Sequence, residues 1–320
     1  MPGTEAAARK RPLVPRWLRN TLGLTVVAAT FYFLIDRLIR DWHKIPWQDL
    51  RFSVPMLVIA FALIFFAYIP LYGFTWKVIL AGMGERISTW NAISVLAVSQ
   101  MGKYVPGKVW YALGRMYLAR RHGVPEAKTA VSALIETGFA LLAAVLLFAL
   151  AVVFLPAGAG IPAQVWLAFL LVPVCLFLLW PPVLNRVIGF LLRKLRQPVF
   201  DVRLTLPRIA AVLGLYVAMW LAQGLGCFAL VNSFYPLPLA KLPMLVGGYA
   251  LSWILGFIVL ISPAGLGVRE GIFTFALGFV LPGPVALIAA LLSRIWITLG
   301  EGLTAVFFAL LLRRRAPEAK

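Results

Sequence analysis

The sequence predicts an all-α polytopic membrane protein with about six spans, two re-entrant helical hairpins and an inverted repeat. Three observations carry that prediction. First, 62% of the 320 residues are hydrophobic and 13% are charged, with a mean hydropathy of +0.93, whereas a soluble domain is about 25% charged. Second, the apolar residues come in runs of the length that crosses a bilayer as a helix, about 20 residues. Third, the cations gather between those runs, where cytoplasmic loops and anionic headgroups favour them. Disorder and collagen are excluded by the apolar content and the lack of a G-X-Y period. The balance of 30 Lys and Arg against 11 Asp and Glu, a net +19, would suggest nucleic acid in a soluble chain. Here it reads as topology, and no nucleic-acid partner is expected.

The elements follow in chain order within a single membrane domain, residues 1–320. Residues 1–17, with Lys10, Arg11 and Arg16, read as a cytoplasmic tail. The apolar run behind them is long and has no clear small-x-small cleavage site, so it is expected to stay as the first span, 18–39. The second span is 54–80, followed by a broken apolar stretch, 91–120, interrupted by Gly102-Lys-Tyr-Val-Pro-Gly107. Spans at 129–154, 165–184 and 209–234 come next. A second broken stretch, 242–279, is interrupted by Ser262-Pro-Ala-Gly-Leu-Gly-Val-Arg-Glu-Gly271, and the sixth span is 285–312. Residues 313–320 form a second tail. Each broken stretch reads as a half-helix, a Gly/Pro turn and a returning half-helix, which lipid tolerates only where protein or a polar cavity satisfies the backbone.

Charge orients these elements. With both termini in the cytoplasm, the 115–128 segment (Arg115, Arg120, Arg121, Lys128) and the 185–208 segment (Arg186, Arg193, Lys194, Arg196, Arg203, Arg208) fall inside, while 156–164 and 281–284, without charge, fall outside. The positive-inside rule is obeyed at nearly every loop; the exception is 40–51, where Asp41 and Asp49 reduce the net charge. The order span, span, hairpin, span then repeats as two halves, 18–160 and 161–312. Each half has an odd number of spans, so the second is inserted upside down, the architecture of many secondary transporters. Gly107 to Glu136 and Gly265 to Arg294 are both separated by 29 positions (136 − 107; 294 − 265), a weak mark of the repeat.

Ionisable residues inside a membrane cost about 2.5–3.5 kcal/mol each on insertion scales, so they need partners or a job. The acidic ones in membrane segments are Glu136, Glu270 and Glu301; the cations are Lys103, Lys108, Arg269 and Arg294. Lys108 and Arg269 both enter at the start of a returning half-helix, the end whose dipole suits an anion rather than a cation. A lipid phosphate would satisfy both, and arginine offers it a bidentate fork. Ser262 stands as a capping residue, while Gly265 and Gly267 allow close backbone approach. The alternative reading is structural: Arg269–Glu136 or Arg294–Glu270 ion pairs that lock the halves, snorkelling lysines, and a structural Glu301 on the face of Arg294. Trp220, Trp253 and Trp296 read as core rather than as the wall of a lipid-tail groove, and Trp17, Trp42, Trp47, Trp90 and Trp110 as interface anchors. Cys175 and Cys227 read as small core residues. No P-loop, H-E-x-x-H, C-x-x-C or paired-Asp motif is present, and His43 and His122 sit in charged loops, so no cofactor or metal is expected.

These residues resemble a known family. Gly102-Lys-Tyr-Val-Pro-Gly-Lys108, Glu136, Ser262-Pro-Ala-Gly-Leu-Gly-Val-Arg-Glu270 and Arg294 are similar to the flippase-like family typified by the transmembrane region of lysylphosphatidylglycerol synthetases, over about residues 18–312. The resemblance implies movement of a phospholipid or lipid-linked intermediate between leaflets, in the cytoplasmic membrane of a bacterium or archaeon. It departs from the family pattern after Glu136: Thr137 follows where arginine is frequent, and Ala140 lies downstream where an aspartate is frequent. The soluble aminoacyl-transfer domain has no counterpart in these 320 residues, so aminoacylation is not implied.

The expected function is therefore a lipid flippase-like transporter, its site built from Lys103, Lys108, Arg269 and Arg294 with Ser262, Gly265 and Gly267. Glu136 and Glu270 are candidate proton carriers, and Glu301 is an ion-pair candidate. The expected partners are anionic membrane lipids and a lipid-modifying enzyme. Two other readings remain: an integral-membrane transferase using one of the three glutamates on a polyprenyl phosphate, and a non-catalytic scaffold for a lipid-pathway enzyme.

Overall fold

The computed structural model describes residues 42–104, 109–154, 180–194, 205–258 and 265–315, with a few positions between 32 and 40 and between 170 and 178. Most of the expected first span, much of the fourth, Lys108 and Ser262 lie outside the described residues. Every regular element among those described is helical. The second, third, fifth and sixth expected spans appear as α1 (Val54–Gly82), α4 (Glu126–Val153), α6 (Leu206–Asn232) and α9 (Gly283–Arg315). The first hairpin is α2 (Thr89–Ser99) and α3 (Val109–Arg120); the second is α7 (Leu242–Ile258) and α8 (Val268–Leu277). With the short turn before it, α7 is long enough to cross a membrane unaided, so it is more than the half-helix expected from sequence. The chain is a multi-pass integral membrane protein, with five such helices among the described residues, or six if the bent pair Val172–Leu178 and Pro181–Phe190 counts as one.

One stretch expected as a loop is a helix. α5 (Pro181–Lys194) begins the segment that charge assigned to a cytoplasmic connection. Leu184, Ile188 and Leu192 recur every four residues and are all buried, while Arg186 and Arg193 lie off that stripe. The cations marked the right segment, but a helical apolar face also runs through them.

Local chemistry explains the element boundaries. Pro70 has no N–H to close an ordinary turn, and α1 widens just before it into a π turn at Ile64–Tyr68, where the Ile69 N–H reaches the Ile64 carbonyl. Ser88 caps α2, its hydroxyl accepting from the Asn91 N–H at 3.1 Å. Thereafter α2 tightens into a 3-10 turn, Gln100–Tyr104, that carries the chain into the hairpin tip.

Packing ties the hairpins into the bundle reciprocally. α2, the first arm of the first hairpin, lies on α9, the span after the second; α7, the first arm of the second, lies on α4, the span after the first. α1 and α6 pack side by side between them. Lipid offers no hydrophobic drive between helices, so close backbone approach matters, and a Cβ on Gly247 of α7 would sit 2.3 Å from that of Ala151 on α4. At one end of the bundle, the Arg51 and Ser53 N–H groups donate to the Phe234 and Ser233 carbonyls at 2.9 and 2.7 Å. At the other, Lys128 joins the Met83 carbonyl at 2.9 Å and Glu85 at 2.6 Å.

Candidate functional site

The carboxylates inside the bundle are each held in a specific way. Glu136, on α4, receives Arg115 Nη1 on both oxygens at 2.7 and 2.8 Å, and the Tyr72 hydroxyl at 3.0 Å. Arg115 also donates through Nη2 to the hydroxyls of Tyr72 and Tyr111, and lies 4.8–5.7 Å from the rings of Tyr111, Trp76 and Tyr72. Only 1% of it is exposed. From its positive neighbours, Arg120 and Arg121, the sequence places Arg115 in a cytoplasmic segment. The structure corrects this: Arg115 is one helical face away from them and turns inward, where its charge meets Glu136 and aromatic faces. The pairing also answers the expected Arg269–Glu136 bridge, which does not form, because Glu136 is already engaged by Arg115.

Glu301, on α9, is equally buried, at 1% exposure. Its Oε1 meets Lys103 Nζ at 2.6 Å, and Oε2 accepts from the Tyr104 hydroxyl at 2.7 Å. Tyr68 completes the set at 3.5 Å. Lys103, expected as a free phosphate ligand, therefore stands in an ion pair that docks the first hairpin tip onto the last span. The tip closes tightly: a Cβ on Gly102 would lie 2.5 Å from the Tyr111 backbone nitrogen, so only glycine lets the two arms meet there.

Glu270 caps its own helix. Its Oε2 accepts from the Gly267 N–H at 2.6 Å, and its Oε1, which has no hydrogen bond, faces Arg294 Nε at 3.4 Å. That ion pair was one of the two structural alternatives, and it is present. The turn in front of α8 runs through Gly265 and Gly267 at φ +70° and +84°, left-handed backbone that side-chain-bearing residues avoid. Arg269 then threads its stem between two glycines. A Cβ would meet Arg269 Cγ at 2.2 Å from Gly256 and at 3.0 Å from Gly265. Its guanidinium lies 5.6 Å from the centre of the Tyr249 ring, and no carboxylate among the described residues pairs with it.

The two hairpins meet around one cavity of about 270 Å³, with Lys103, Glu136, Gly265, Arg269 and Arg294 all on its wall. Five of the residues singled out from sequence thus share one space, near the middle of the long helices. Gly267, Glu270 and Glu301 lie just behind it. Lys108 and Ser262 belong to its surroundings in sequence but lie outside the described residues. Trp220, Trp253 and Phe257 line the same cavity. Trp220 donates to the Ala140 carbonyl at 3.1 Å and meets Trp253 edge-on at 5.3 Å. Trp220 and Trp296, each 2% exposed, are core as expected, and Trp253 packs against that core; Trp220 and Trp253 also line the cavity.

Residues beyond the sequence prediction complete the wall. Gln100 and Gln223, each 6% exposed, present amides to it without a hydrogen-bond partner among the described residues. Tyr68 and Tyr72 carried a readable sign, two phenols four positions apart on one face of an apolar span. The amides carried none. Three of the described cations in and around the cavity face carboxylates, Lys103 with Glu301, Arg115 with Glu136 and Arg294 with Glu270, and Arg269 faces none among the described residues. The two hairpins also mirror one another chemically. In the first, an arginine on the returning arm pairs with a glutamate on the next span; in the second, a glutamate on the returning arm pairs with an arginine on the next span.

With this geometry in view, comparison with known proteins identifies a family. A family model described as the lysylphosphatidylglycerol synthase TM region covers residues 20–300. No curated protein matches the chain.

Proposed function

The chain belongs to the lysylphosphatidylglycerol synthase TM-region family, and from that premise we propose that it is a transporter moving a phosphate-bearing lipid between leaflets. Its link to membrane phospholipid handling follows from the family; the transport step is our reading. The observation that carries it is Arg269, a cation without a carboxylate partner among the described residues, held on the wall of a cavity where the two hairpins converge. A lipid phosphate would complete that charge, while the tails remain in the bilayer beside the aromatic wall.

Alternation would come from rearranging the hairpins about this fixed site, in the manner of transporters with discontinuous helices. The driving force would be an ion gradient or the lipid's own gradient, since the sequence has no nucleotide-binding P-loop. Membrane transferase chemistry is the less supported reading: Glu136 and Glu301 are consumed by Arg115 and Lys103, and Glu270 by its helix cap. The surroundings we assign are a bacterial or archaeal cytoplasmic membrane, with both termini in the cytoplasm and anionic lipids as partners. A lipid-modifying enzyme acting before or after transport fits the same reading.

The test is a leaflet-accessibility assay on reconstituted liposomes with a fluorescent phospholipid. Arg269→Gln is expected to lower translocation at least tenfold, with Arg269→Lys keeping part of it and both proteins melting near the parent temperature. Undiminished translocation by Arg269→Gln removes the site assignment.

A further inference from the structure

A second, smaller cavity shares Arg269 and Arg294 with the first, and it singles out one of the three buried carboxylates. We infer that Glu270 is the proton-exchanging group of the bundle: it takes up a proton, by way of one water held in the small cavity, when an anion enters the large cavity and engages Arg294. The anion in this step rests on the transport reading above; the acid and its cavity do not.

The first ground is how the carboxylate oxygens are occupied. Glu136 takes Arg115 on both oxygens and Tyr72 on one of them. Glu301 takes Lys103 and Tyr68 on Oε1 and Tyr104 on Oε2. Glu270 is held by the Gly267 N–H on Oε2, while its Oε1 is buried without a hydrogen bond. Its ion pair with Arg294 Nε is the longest of the three described inside the bundle, 3.4 Å against 2.6 and 2.7 Å. A protonated carboxyl needs an oxygen whose O–H has somewhere to donate. Among the described buried carboxylates, only Glu270 keeps one.

The second ground is what faces that oxygen. The small cavity, about 10 Å³, lies between both arms of the second hairpin and α9. Its polar wall is Tyr249 and Ser252 from α7, Arg269 and Glu270 from α8, and Ser293 and Arg294 from α9, with no other carboxylate among the described residues. That volume is about one water. The Tyr249 hydroxyl is buried and, like Glu270 Oε1, has no hydrogen bond. The two serine hydroxyls donate to the Tyr249 and Ala290 carbonyls at 2.7 and 2.8 Å, which leaves their oxygens as acceptors. One water can accept from Tyr249 and donate to Glu270 and a serine, satisfying groups that cost about 1–3 kcal/mol each when buried and unpaired. Arg269 and Arg294 wall both cavities, so they stand between the anion's space and the acid's. An anion that draws Arg294 toward the large cavity takes the cation away from Glu270, and a buried carboxylate without one is costly until it is protonated. The balance is one proton from solvent, through the water, onto Oε1 for each anion bound. By reciprocity the anion binds more tightly as pH falls.

The experiment reads the proton directly. Difference infrared spectra of the purified full chain in phosphatidylcholine nanodiscs are recorded on adding a short-chain, ether-linked phosphatidylglycerol, which has no ester carbonyl and no proton of its own to give. A pH indicator in weak buffer counts protons in the same samples. Binding is expected to raise the carbonyl band of a carboxylic acid and to take up about one proton, so that affinity rises by up to about tenfold for each pH unit of acidification. Glu270→Gln should remove both band and uptake. Tyr249→Phe, which keeps the ring and the Arg294 pair, should shift the band by removing the water's donor. Should Glu270→Gln fail to fold, Tyr249→Phe decides alone. Binding without proton uptake, a band that persists in Glu270→Gln, or a band unmoved by Tyr249→Phe overturns the inference. Sulfate is the second probe: uptake driven as strongly by it supports the exchange at Glu270 and overturns a lipid source for the anion. A chain that binds neither probe overturns both readings. Uptake at Glu270 in protein that moves no lipid in liposomes supports this inference and removes the transport reading, whereas translocation without uptake overturns this inference alone.

Discussion

Arg115 and Glu136 show why a single residue inside a bilayer has consequences beyond its own contacts. Replacing only one of them leaves the other charged, buried and unsatisfied, at a cost of about 3–5 kcal/mol, whereas replacing both with apolar residues of similar size is often nearly neutral. Arg115→Leu is therefore expected to lower the melting temperature in detergent strongly, and the double variant Arg115→Leu/Glu136→Leu to recover most of it, as differential scanning fluorimetry would register. If the double variant is no more stable than the single one, the pair does not hold the helices in the way its distances imply. The same residue marks where sequence reading stops. Arg115 stands five positions before Arg120 and six before Arg121, and charge density alone groups the three together. What separates them is helical phase at the start of a short arm, and phase became visible only once the arm's end points were known. Glu136, Arg269 and Arg294 were legible because charge in an apolar run is costly wherever it points; Gln100 and Gln223 were not, since a neutral amide in such a run signals little.

At the scale of elements, the two hairpins were legible because glycine and proline interrupt otherwise apolar stretches, and backbone of that kind needs a built environment. The length of α7 was harder to read. Its apolar run continues to the turn, and nothing local in sequence says whether such an arm stops at half depth or crosses. α5 is hard to read for a related reason: one segment carries both a topological charge signal and an amphipathic period, and the charges dominate its composition. For the first hairpin, the critical position is Gly102, where the arms approach within a distance that excludes any side chain. Gly102→Ala is expected to displace Tyr104 and Lys103 from Glu301, to destabilise the protein by about 1–3 kcal/mol as overpacked sites do, and to increase proteolysis within residues 100–110. An unchanged cleavage pattern would mean that the tip is looser than this close approach indicates.

For the molecule as a whole, the two ends differ in charge. Arg86, Arg120, Arg121 and Lys128 surround one end of the bundle, while the contacts of Arg51 and Ser53 with Phe234 and Ser233 define the other. That asymmetry predicts sidedness. A cysteine in place of Glu85 is expected to react with a membrane-impermeant maleimide only from the cytoplasmic face of oriented vesicles, and one in place of Pro236 only from the opposite face. Labelling of both from one side would invert or dissolve the proposed orientation. Between those ends runs α1, whose stacked phenols Tyr68 and Tyr72 stand 6.1 Å apart, one touching Glu301 and the other Glu136. The helix is thus a splint between the two spans that follow the hairpins. In the proposed transport, a shift at either carboxylate would pull on the same short rod, so the two lobes would tilt together as a seesaw does, on a single pivot.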